Sequence, residues 1–549
     1  MQDGIFRRPR RRSAAGVVRA QCAAVAGWTT AVAAGAPPPA SVLAAALAAV
    51  AVVVPVRGRD AVDWWREWWR FRNRPIRTAP VIVDVAAAGD GPVGVCWDGS
   101  AVGVCWDGSA VVAVVELVPA GGDLTRLTRD RADPLRRLPL AAIAACLSRH
   151  DVELDGIDVV VHGSRVCDET AAGEAYGRLV GPLPAAATRT VWLALRFDAL
   201  ACPAAVARRG GGSEGAARAV RIAARRVVRA LAEQRHAARI LDAGEITQAV
   251  ESVTGGADPL LLEEDRDAVR LPGGLSRAAV VEPGHLDRTT LTHVWSEPLS
   301  SATITVRLRP GTEPGTVRMG AVVRGTSRSP EPSRRMPGTR RLWSRELDGL
   351  LASTPTAAAG LEDLVPLRTV QLGDVDALTL PVTGCGQVIG ADESGAAVSA
   401  RVTGPGVRSV YVAGELYLAQ QLVFRSVAIG ARVAIHTDRA SAWRPLLAAA
   451  GPDRLRLGDD RGVDTIVYDG VVPATVPAGT TAIHVHADPD RWPRERPDVS
   501  ILQPGAAGDR VVLTTGGRRV SLSLVSVGAE AAFIGRPRAG GRSRVPQPG

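Results

Sequence analysis

Residues 409–439, SVYVAGELYLAQQLVFRSVAIGARVAIHTDR, alternate between short runs rich in valine, isoleucine and tyrosine and one longer apolar segment. The first and last of these runs predict β-strands, and the segment between them, 415–428, predicts an α-helix. A strand, a helix and a strand in succession are typical of an α/β fold with parallel strands. Strand and helix signals of the same kind continue beyond this stretch, so the sequence predicts an α/β domain over residues 386–530.

The same alternation of short and long apolar runs occurs nearer the N-terminus, where it predicts a first α/β domain over residues 79–255. Strand signals without intervening helices predict a β-rich segment at 256–385. Within that segment, residues 325–340 are rich in proline, serine and arginine and predict a flexible loop. Residues 531–549 are rich in glycine, proline and arginine and predict a disordered tail.

The composition narrows the class of protein. The chain has 549 residues, of which 46% are hydrophobic and 22% are charged, and its mean hydropathy is +0.07. These values exclude a fully disordered chain and a polytopic membrane protein. The seven cysteines include no C-x-x-C pair, which favours buried thiols in a reducing compartment over a disulfide framework or a zinc site.

The positive charge is concentrated at one end of the chain. The net charge is +10, and all 66 basic residues are arginine. Residues 1–80 contain 13 arginines against four acidic residues, a net charge of +9, so the other 469 residues contribute about +1. This distribution disfavours a nucleic-acid-binding protein, because the charge belongs to one short segment.

Residues 1–78 predict a membrane anchor. Two uncharged stretches of 17 residues, 20–36 and 40–56, each reach about 25 Å as a helix, which is the short end of the range for crossing a bilayer. The connector between them, Pro37–Pro39, carries no charge. We therefore expect a two-helix transmembrane hairpin.

The arginines that flank this hairpin predict its orientation. Five arginines lie within residues 7–12 and seven lie within residues 57–77. The positive-inside rule places both ends of the hairpin, and with them both chain termini, in the cytoplasm of a plasma-membrane protein. The alternative is a cleaved signal peptide followed by a single anchor, but the arginines after residue 56 oppose export.

Residues 60–72 predict an interfacial helix with an indole face. The tryptophans recur at a spacing that gathers them on one side, with arginines beside them. Tryptophan and arginine together suit the headgroup layer of a membrane that contains anionic lipids. The alternative is a tryptophan-rich core helix. The residues assigned to this membrane interface are Trp64, Trp65, Trp68, Trp69, Arg66 and Arg70.

Residues 93–101, VGVCWDGSA, recur identically as residues 102–110. A period of nine is too short for a solenoid repeat. The two copies could form strand-turn units of a hairpin with Asp-Gly as the turn. Equally, a coding duplication could leave one copy as an extruded loop.

Several acidic residues follow predicted strands of the second α/β domain. Glu415 and Asp438 each come after the carboxyl end of a strand, where open α/β sheets bind ligands, and could hold a ribose or a metal ion. The alternative is that they stabilise helix N-termini. Both assignments stay open on the sequence alone.

A second candidate follows the predicted strand at 481–487. His484 and His486 share one face of that strand, and Asp488 and Asp490 come directly after it, a pattern that could bind a divalent cation. Asp-x-Asp after a strand is also a metal-binding pattern of many nucleotide-sugar glycosyltransferases. The alternative is a strand that ends in an Asp-Pro turn.

The loop at 208–215, RRGGGSEG, precedes a long predicted helix at 216–237 and could cradle an anion at the helix N-terminus. It lacks the lysine of a P-loop and the glycine spacing of a dinucleotide-binding loop. The alternative is an ordinary loop with Ser213 as the helix cap.

Several stretches of the sequence together carry a resemblance to a known protein family. It begins with the two short helices and the tryptophan-arginine segment, and it covers residues 1–250 best. The other stretches that carry it are GVCWDG at 94–99, LDGIDVV at 154–160, GSR at 163–165, Tyr176, LP at 183–184, TVWL at 190–193, VYVAGELYLA at 410–419 and HTDR at 436–439. With these stretches the chain resembles the EccE family of the actinobacterial type VII (ESX) secretion system.

The resemblance implies a plasma-membrane subunit at the periphery of a complex with EccB, EccC and EccD, in which the EccC ATPase supplies the energy. It implies a cytosolic fold similar to nucleotide-sugar glycosyltransferases, with Rossmann-like α/β domains, and it provides no catalytic residue or cofactor. We therefore expect a non-enzymatic structural and interaction subunit. The alternative is a membrane-anchored glycosyltransferase-like enzyme that acts on a nucleotide sugar.

Overall fold

The structure is a computed structural model, and it describes most of the chain. The described residues are 14–53, 72, 80–85, 102–108, 110–167, 170–330, 336–358, 361–473, 475–506 and 508–535. The predicted interfacial helix at 60–72, apart from residue 72, lies outside them, as do the first repeat copy and the tail from residue 536. The interface prediction for the tryptophans and arginines of that helix therefore stays a prediction.

The chain divides into two units. One comprises Met1–Arg77 with Trp343–Arg345, and the other comprises Thr78–Leu342 with Glu346–Gly549. In the first unit, helices α1 (Ala14–Ala33) and α2 (Pro38–Val53) pack against each other. The described part of the first helix starts six residues before the predicted stretch, and this helix ends three residues before its predicted end. Residues 54–56 of the second predicted stretch lie outside the described residues.

Gly27 lets the two helices of this hairpin approach closely. A Cβ atom at this position would lie 2.9 Å from the Ala44 carbonyl oxygen and 2.9 Å from the Ala48 Cβ. Glycine is therefore required for the packing. Over the described part of the chain, none of the helices combines the length and the apolar character needed to traverse a bilayer.

The second unit is a mixed α/β structure built on two large sheets. Its helices in chain order are α3 (Leu140–Ala144), α4 (Ala171–Val180), α5 (Pro203–Ala207), α6 (Gly212–Glu233), α7 (Ala243–Thr254), α8 (Arg288–His293), α9 (Glu346–Leu351), α10 (Leu416–Ala428), α11 (Ala440–Ala450) and α12 (Gly528–Ile534).

The strands follow the same chain order. The first sixteen are β1 (Val81–Val85), β2 (Val102–Asp107), β3 (Ala110–Leu117), β4 (Leu124–Thr128), β5 (Arg131–Pro134), β6 (Ser148–Arg149), β7 (Val152–Glu153), β8 (Gly156–Ser164), β9 (Thr188–Asp198), β10 (Ala238–Ile240), β11 (Val269–Leu271), β12 (Gly274–Val281), β13 (Ser301–Pro310), β14 (Thr316–Ser327), β15 (Thr339–Arg341) and β16 (Arg368–Gln371). The remaining ten are β17 (Gln387–Ala391), β18 (Ala397–Ala400), β19 (Ser409–Ala413), β20 (Val433–Thr437), β21 (Leu455–Leu457), β22 (Thr465–Asp469), β23 (Thr481–His486), β24 (Val499–Leu502), β25 (Arg510–Thr515) and β26 (Arg518–Leu524).

The first sheet is antiparallel in the order β1-β2-β3-β9-β8-β13-β14-β12-β11, with β10, β15 and β16 paired beside this path. Helix α6 packs on β3 and β9 because its buried stripe, which includes Ala219, Val220, Val227 and Leu231, meets the apolar face of those strands. Strands from the predicted β-rich segment 256–385 lie in the same sheet as strands from 79–255. The boundary predicted between these two segments therefore falls within one sheet.

The second sheet has the order β21-β20-β22-β23-β19-β24-β25-β26-β17-β18-β4-β5. In this order, the neighbouring strands from β21 to β24 pair in parallel, and those from β24 to β5 pair antiparallel. The predicted strand-helix-strand unit is present as β19, α10 and β20, with bounds within a residue or two of the prediction. Strands β4 and β5, which belong to the first domain by sequence position, complete this second sheet by pairing with β18.

Candidate functional site

The parallel strands β20, β22, β23 and β19 are neighbours, so their carboxyl ends lie along one edge of the second sheet. The sequence places Asp438 after β20, Asp488 and Asp490 after β23, and Glu415 after β19. The edge of the sheet is the location at which α/β folds bind ligands. This edge, together with the side chains that precede it on the strands, is our candidate site.

Of the four predicted ligand residues, Glu415 and Asp488 have side-chain hydrogen bonds within the chain. Glu415 is the N-cap residue of α10, and its Oε1 accepts a 3.0 Å hydrogen bond from Gln503 Nε2. Asp438 is exposed. Asp488 accepts a 3.0 Å bond from the backbone N–H of Asp490, which closes a short turn. Over the described residues, no group of three or more His, Cys, Asp or Glu side chains is arranged to hold a metal ion.

The sequence analysis missed the acidic residue that is buried at this edge. Asp469 ends β22 and is 0% exposed. Its Oδ2 accepts hydrogen bonds of 2.9 Å from Thr437 Oγ1, from Arg439 Nε and from Trp443 Nε1, and Arg439 Nη2 donates to its Oδ1. Asp469 therefore connects β22 to the end of β20 and to the first turn of α11.

These donors decide the charge state of Asp469. Burial acts to raise the pKa of the carboxyl group, but the hydrogen bonds from Arg439, Trp443 and Thr437 outweigh burial and lower the pKa below its ordinary value. The same contact raises the pKa of Arg439. The pair is therefore ionised at neutral pH, and its carboxylate oxygens are occupied by donors from the chain itself.

A row of aromatic side chains crosses the parallel strands beside this edge. His436 stacks on Tyr468 with ring centroids 5.4 Å apart, and Tyr468 stacks on His484 at 5.5 Å. Tyr411 meets His484 edge-on at 5.2 Å and lies 5.8 Å from Trp492. The strand register explains the row, because the residues of β20, β22, β23 and β19 are directly paired.

The row lies on the face of the sheet opposite α10 and α11. Side chains alternate along a strand, and the intervening residues, such as Val467 and Ile483, belong to the core that those helices cover. On the aromatic face, Tyr468 packs with Ile466 and with Val471 of the following loop. The sheet therefore has one helix-covered face and one face with partial cover from a loop.

The surroundings of the predicted histidine pair differ from those of a metal site. His484 is 7% exposed and lies between two tyrosine rings. Burial, reinforced by His486, lowers the pKa of His484, and burial with the nearby Arg491 lowers the pKa of His486. Both imidazoles are therefore neutral at neutral pH, and the first contributes to aromatic packing.

A cleft of about 430 Å³ opens where the aromatic row meets the carboxyl edge. Its walls include His436 and Tyr468 on the strands, Leu457 at the end of β21, and Val471 and Val472 on the loop after β22. Val472 is 90% exposed and Leu457 is 42% exposed. The cleft is thus largely apolar and accessible. Its polar side chains are Thr437, Tyr468 and His436, and His436 Nε2 lies 2.7 Å from Asp460 Oδ1.

The predicted anion loop at 208–215 overlaps the start of α6, which begins four residues, about one turn, before the predicted helix at 216–237. Gly211 is the N-cap residue, and Ser213 lies inside the first turn without a capping bond. Gly210, Gly211 and Gly212 all have positive φ, and Arg218 Nη1 donates a 3.1 Å bond to the Arg209 carbonyl. Anion binding at this loop stays a prediction.

Comparison with known proteins identifies a matching family. Residues 185–279, which contain β9, α6, α7 and most of the β11–β12 hairpin, match the family model described as "Putative type VII ESX secretion system translocon, EccE". The resemblance of the chain to the EccE family is therefore confirmed over these residues.

The relatives that match this chain include mycobacterial proteins. The ESX-5 secretion system protein EccE5 of Mycobacterium marinum is 29% identical over 282 residues, which cover 50% of this chain and 68% of the relative. EccE5 of Mycobacterium tuberculosis is 28% identical over 286 residues, with the same coverage. The ESX-1 secretion system protein EccE1 of Mycolicibacterium smegmatis is 28% identical over 270 residues, which cover 48% of this chain and 53% of the relative.

We expect replacement of Asp469 by asparagine to destabilise the chain by about 1–3 kcal/mol, because Thr437, Trp443 and the half-exposed guanidinium of Arg439 lose their shared carboxylate acceptor. Urea unfolding of the full chain, followed through the fluorescence of its tryptophans, measures the change. The matched control is Asp438→Asn, an exposed carboxylate at the same edge, which should alter stability by less than about 0.5 kcal/mol. Equal effects of the two substitutions would show that Asp469 has no special structural role.

Proposed function

We propose that this chain is a non-enzymatic, membrane-anchored structural and interaction subunit of a type VII (ESX) secretion complex. The observation that carries the proposal is the match of residues 185–279 to the EccE model, together with relatives that are ESX secretion system proteins. In this role the second unit is a platform for partner subunits. The proposed partners are EccB, EccC and EccD, with the chain at the periphery of their complex.

The first unit is the proposed anchor. Seven large apolar side chains of the α1–α2 hairpin are more than half exposed, as lipid-facing side chains would be. The arginines on both sides of the hairpin support cytoplasmic termini by the positive-inside rule. The exposed residues are Val25, Trp28, Val32, Val42, Leu43, Leu47 and Val50.

Two further elements of the proposal come from the sequence. The tryptophans and arginines of residues 60–72 are proposed to lie at the inner headgroup layer and to contact anionic lipids. The location is the plasma membrane, with two crossings.

The contacts at the carboxyl edge support a role other than catalysis. The buried carboxylate Asp469 is occupied by three side chains of the chain itself, and Asp488 closes a turn. Catalytic carboxylates generally face an open site in which substrate can replace such contacts. We infer that the edge stabilises the platform and that the adjacent cleft is available to a partner.

The alternative is a glycosyltransferase-like enzyme with a Rossmann-like domain. The observation that favours it is the cleft of about 430 Å³ at the carboxyl edge of parallel strands joined by helices. A thermal shift of the full chain with a nucleotide sugar and Mn²⁺ would support it, provided that Tyr468→Ala abolishes the shift. No shift with any nucleotide sugar would contradict it.

The test of the secretion role is extraction of the tagged full chain from native membranes in mild detergent. We expect it to migrate in a large assembly with the other membrane components of one ESX system, identified by mass spectrometry. The control is the same extraction from cells that express the untagged chain. A tagged chain that migrates alone, at the size of a monomer, would contradict the proposal.

The proposed topology has its own measurement. A reporter that is active in the cytoplasm should be active when fused at the C-terminus and inactive when inserted at Pro37, between the two helices. A C-terminal fusion that is active on the outer side alone would overturn the proposed topology, whatever the outcome of the extraction.

A further inference from the structure

Strand β2 is built from the second copy of the nine-residue repeat. It pairs with β1 on one side, where Val81 lies opposite Trp106, and with β3 on the other, where Val104 lies opposite Ala113. We call this position between β1 and β3 the β2 slot. The first copy, residues 93–101, has an identical sequence and lies outside the described residues.

The β2 slot selects its occupant by shape. Val104 and Cys105 are 0% exposed and belong to the cores on opposite faces of the sheet. Gly103 donates a 2.9 Å hydrogen bond to the Leu241 carbonyl, and a Cβ atom on it would lie 2.5 Å from the carbonyl carbon of Asp242 and 2.6 Å from the nitrogen of Ala243. The slot therefore requires glycine followed by two small apolar residues.

The first copy meets each of these requirements. Gly94, Val95 and Cys96 correspond in order to Gly103, Val104 and Cys105. Because the two copies are identical, the side-chain contacts inside the slot would be the same with either one. The difference between the two arrangements lies in the chain connections at the ends of the strand.

Both sets of connections can be closed. In the structure, residues 86–101 join β1 to β2, and residues 108–109 join β2 to β3, which are 16 and two residues. With the first copy in the slot, the connections would be 86–92 and 99–109, which are seven and 11 residues. For flexible loops the closure probability falls as about the 3/2 power of length, which gives a factor of about four between the two arrangements. The two-residue connection is short and stiff, so replacing it adds a difference that this scaling does not include.

We propose that the β2 slot is filled by either copy of the repeat, so that the first sheet has two registers with one core. Exchange moves nine residues from the β1–β2 connection to the β2–β3 connection, at the opposite end of the strand. A partner that binds the extruded copy at one end would select one register. The repeat is thus a conformational switch whose two states differ in which end of the strand presents the additional loop.

The test compares valine substitutions at the two equivalent glycines in the full chain. If the two copies exchange, Gly103→Val excludes the second copy from the slot and the first copy takes its place. The melting temperature should then stay close to that of Gly94→Val and of the wild type. The double variant G94V/G103V has no competent copy, and its melting temperature should fall by on the order of 5 °C or more. A shortened chain that lacks residues 93–101 has only the second copy. In that chain, Gly103→Val should cause the same loss.

Alkylation of cysteine provides a second measurement that does not depend on stability. Burial, reinforced by Asp107, raises the pKa of the Cys105 thiol to about 12, so this thiol should resist iodoacetamide while it occupies the slot. In Gly103→Val, protection should pass from Cys105 to Cys96, as measured by mass spectrometry after cleavage at tryptophan. The Gly94→Val variant is the control and should keep Cys105 protected.

Two results would overturn the proposal. One is a Gly103→Val chain that is as unstable as the double variant and leaves Cys96 reactive, since the first copy would then have failed to replace the second. The other is a double variant as stable as the wild type, because the slot would then have no requirement for this strand.

Discussion

Replacing Glu530 with alanine is expected to lower the free energy of unfolding by about 3–5 kcal/mol, because it leaves a buried arginine without its counter-ion. Glu530 in α12 and Arg425 in α10 are 0% and 1% exposed. Arg425 Nε lies 2.7 Å from Glu530 Oε1, and Arg425 Nη2 lies 2.9 Å from Glu530 Oε2. Two parallel charge-assisted bonds of this kind define the orientation of both side chains.

The pair also connects the helices to the second sheet. Arg425 Nη1 donates a 2.6 Å hydrogen bond to the carbonyl of Val388 in β17. The backbone N–H of Val388 in turn donates a 2.8 Å hydrogen bond to the hydroxyl of Tyr176 in α4. Loss of the carboxylate therefore affects α4, α10, α12 and β17 together. We expect reduced cooperativity of unfolding as well as reduced stability.

Urea unfolding of the full chain measures the effect of Glu530→Ala. The matched control is Glu214→Ala, which removes an i,i+4 ion pair with Arg218 in which the carboxylate is 64% exposed, and which should cost about 0.3–0.5 kcal/mol. The double variant R425L/E530L should be more stable than Glu530→Ala, since no charge is left buried. A Glu530→Ala chain within about 1 kcal/mol of the wild type would contradict the assigned role.

Replacing Asp158 with alanine should have a comparable effect in the first sheet, about 3–5 kcal/mol. Asp158 on β8 is 1% exposed and faces two arginines of the neighbouring strand β13. Its Oδ1 lies 2.8 Å from Arg309 Nη1, and its Oδ2 lies 3.3 Å from Arg307 Nε. The substitution would leave two buried guanidinium groups without this carboxylate.

The pH dependence follows from the pKa of the same group. Burial acts to raise the pKa of Asp158, but Arg309 and Arg307 outweigh burial and lower it below the ordinary value of 3.8. A lowered pKa in the folded state contributes stability above pH 3.8, and this stability is lost as the pH falls through the folded-state value. The difference between wild type and Asp158→Ala should therefore be constant near neutral pH and shrink below about pH 4.

The control for this prediction lies three residues away. Asp155 is 44% exposed and forms an ion pair with Arg196 at 3.1 Å. Asp155→Ala should cost less than about 1 kcal/mol. A pH-independent difference between wild type and Asp158→Ala, or a loss as small as that of Asp155→Ala, would show that the two arginines do not depend on Asp158.

Local patterns in the sequence predicted several elements correctly. The alternation at 409–439 predicted β19, α10 and β20, and the predicted strand at 481–487 is present as β23. Strand and helix signals of this kind arise from neighbouring residues, because the side-chain periods of 2 and 3.6 are properties of the local backbone. The mixed α/β class is therefore confirmed.

The order of the strands was not predictable in the same way. Thr125 of β4 lies opposite Ser399 of β18, so a strand from the first part of the chain closes the second sheet. The two residues are 274 positions apart, and no local period links them. Their pairing depends on which edges remain open after the other strands have assembled.

At the candidate site too, some residues could be predicted from their neighbours in the sequence and one could not. The sequence analysis identified residues that follow strands, such as Asp438 and Asp488, but it did not identify Asp469. A useful signal was present, since Asp469 ends an apolar strand and is followed by glycine. Its significance depends on Arg439 and Trp443, which reach it from another strand end and from a helix.

The sequence by itself therefore determined the types of the elements in the second α/β segment, the concentration of arginine at the N-terminus and the resemblance to the EccE family. Each of these depends on composition, on neighbours along the chain or on matching motifs. The tertiary structure decided the two-sheet architecture, the burial of Asp469 and the aromatic row from His436 to Trp492. These features depend on burial and on pairing between distant residues, and both arise only when the sheet assembles.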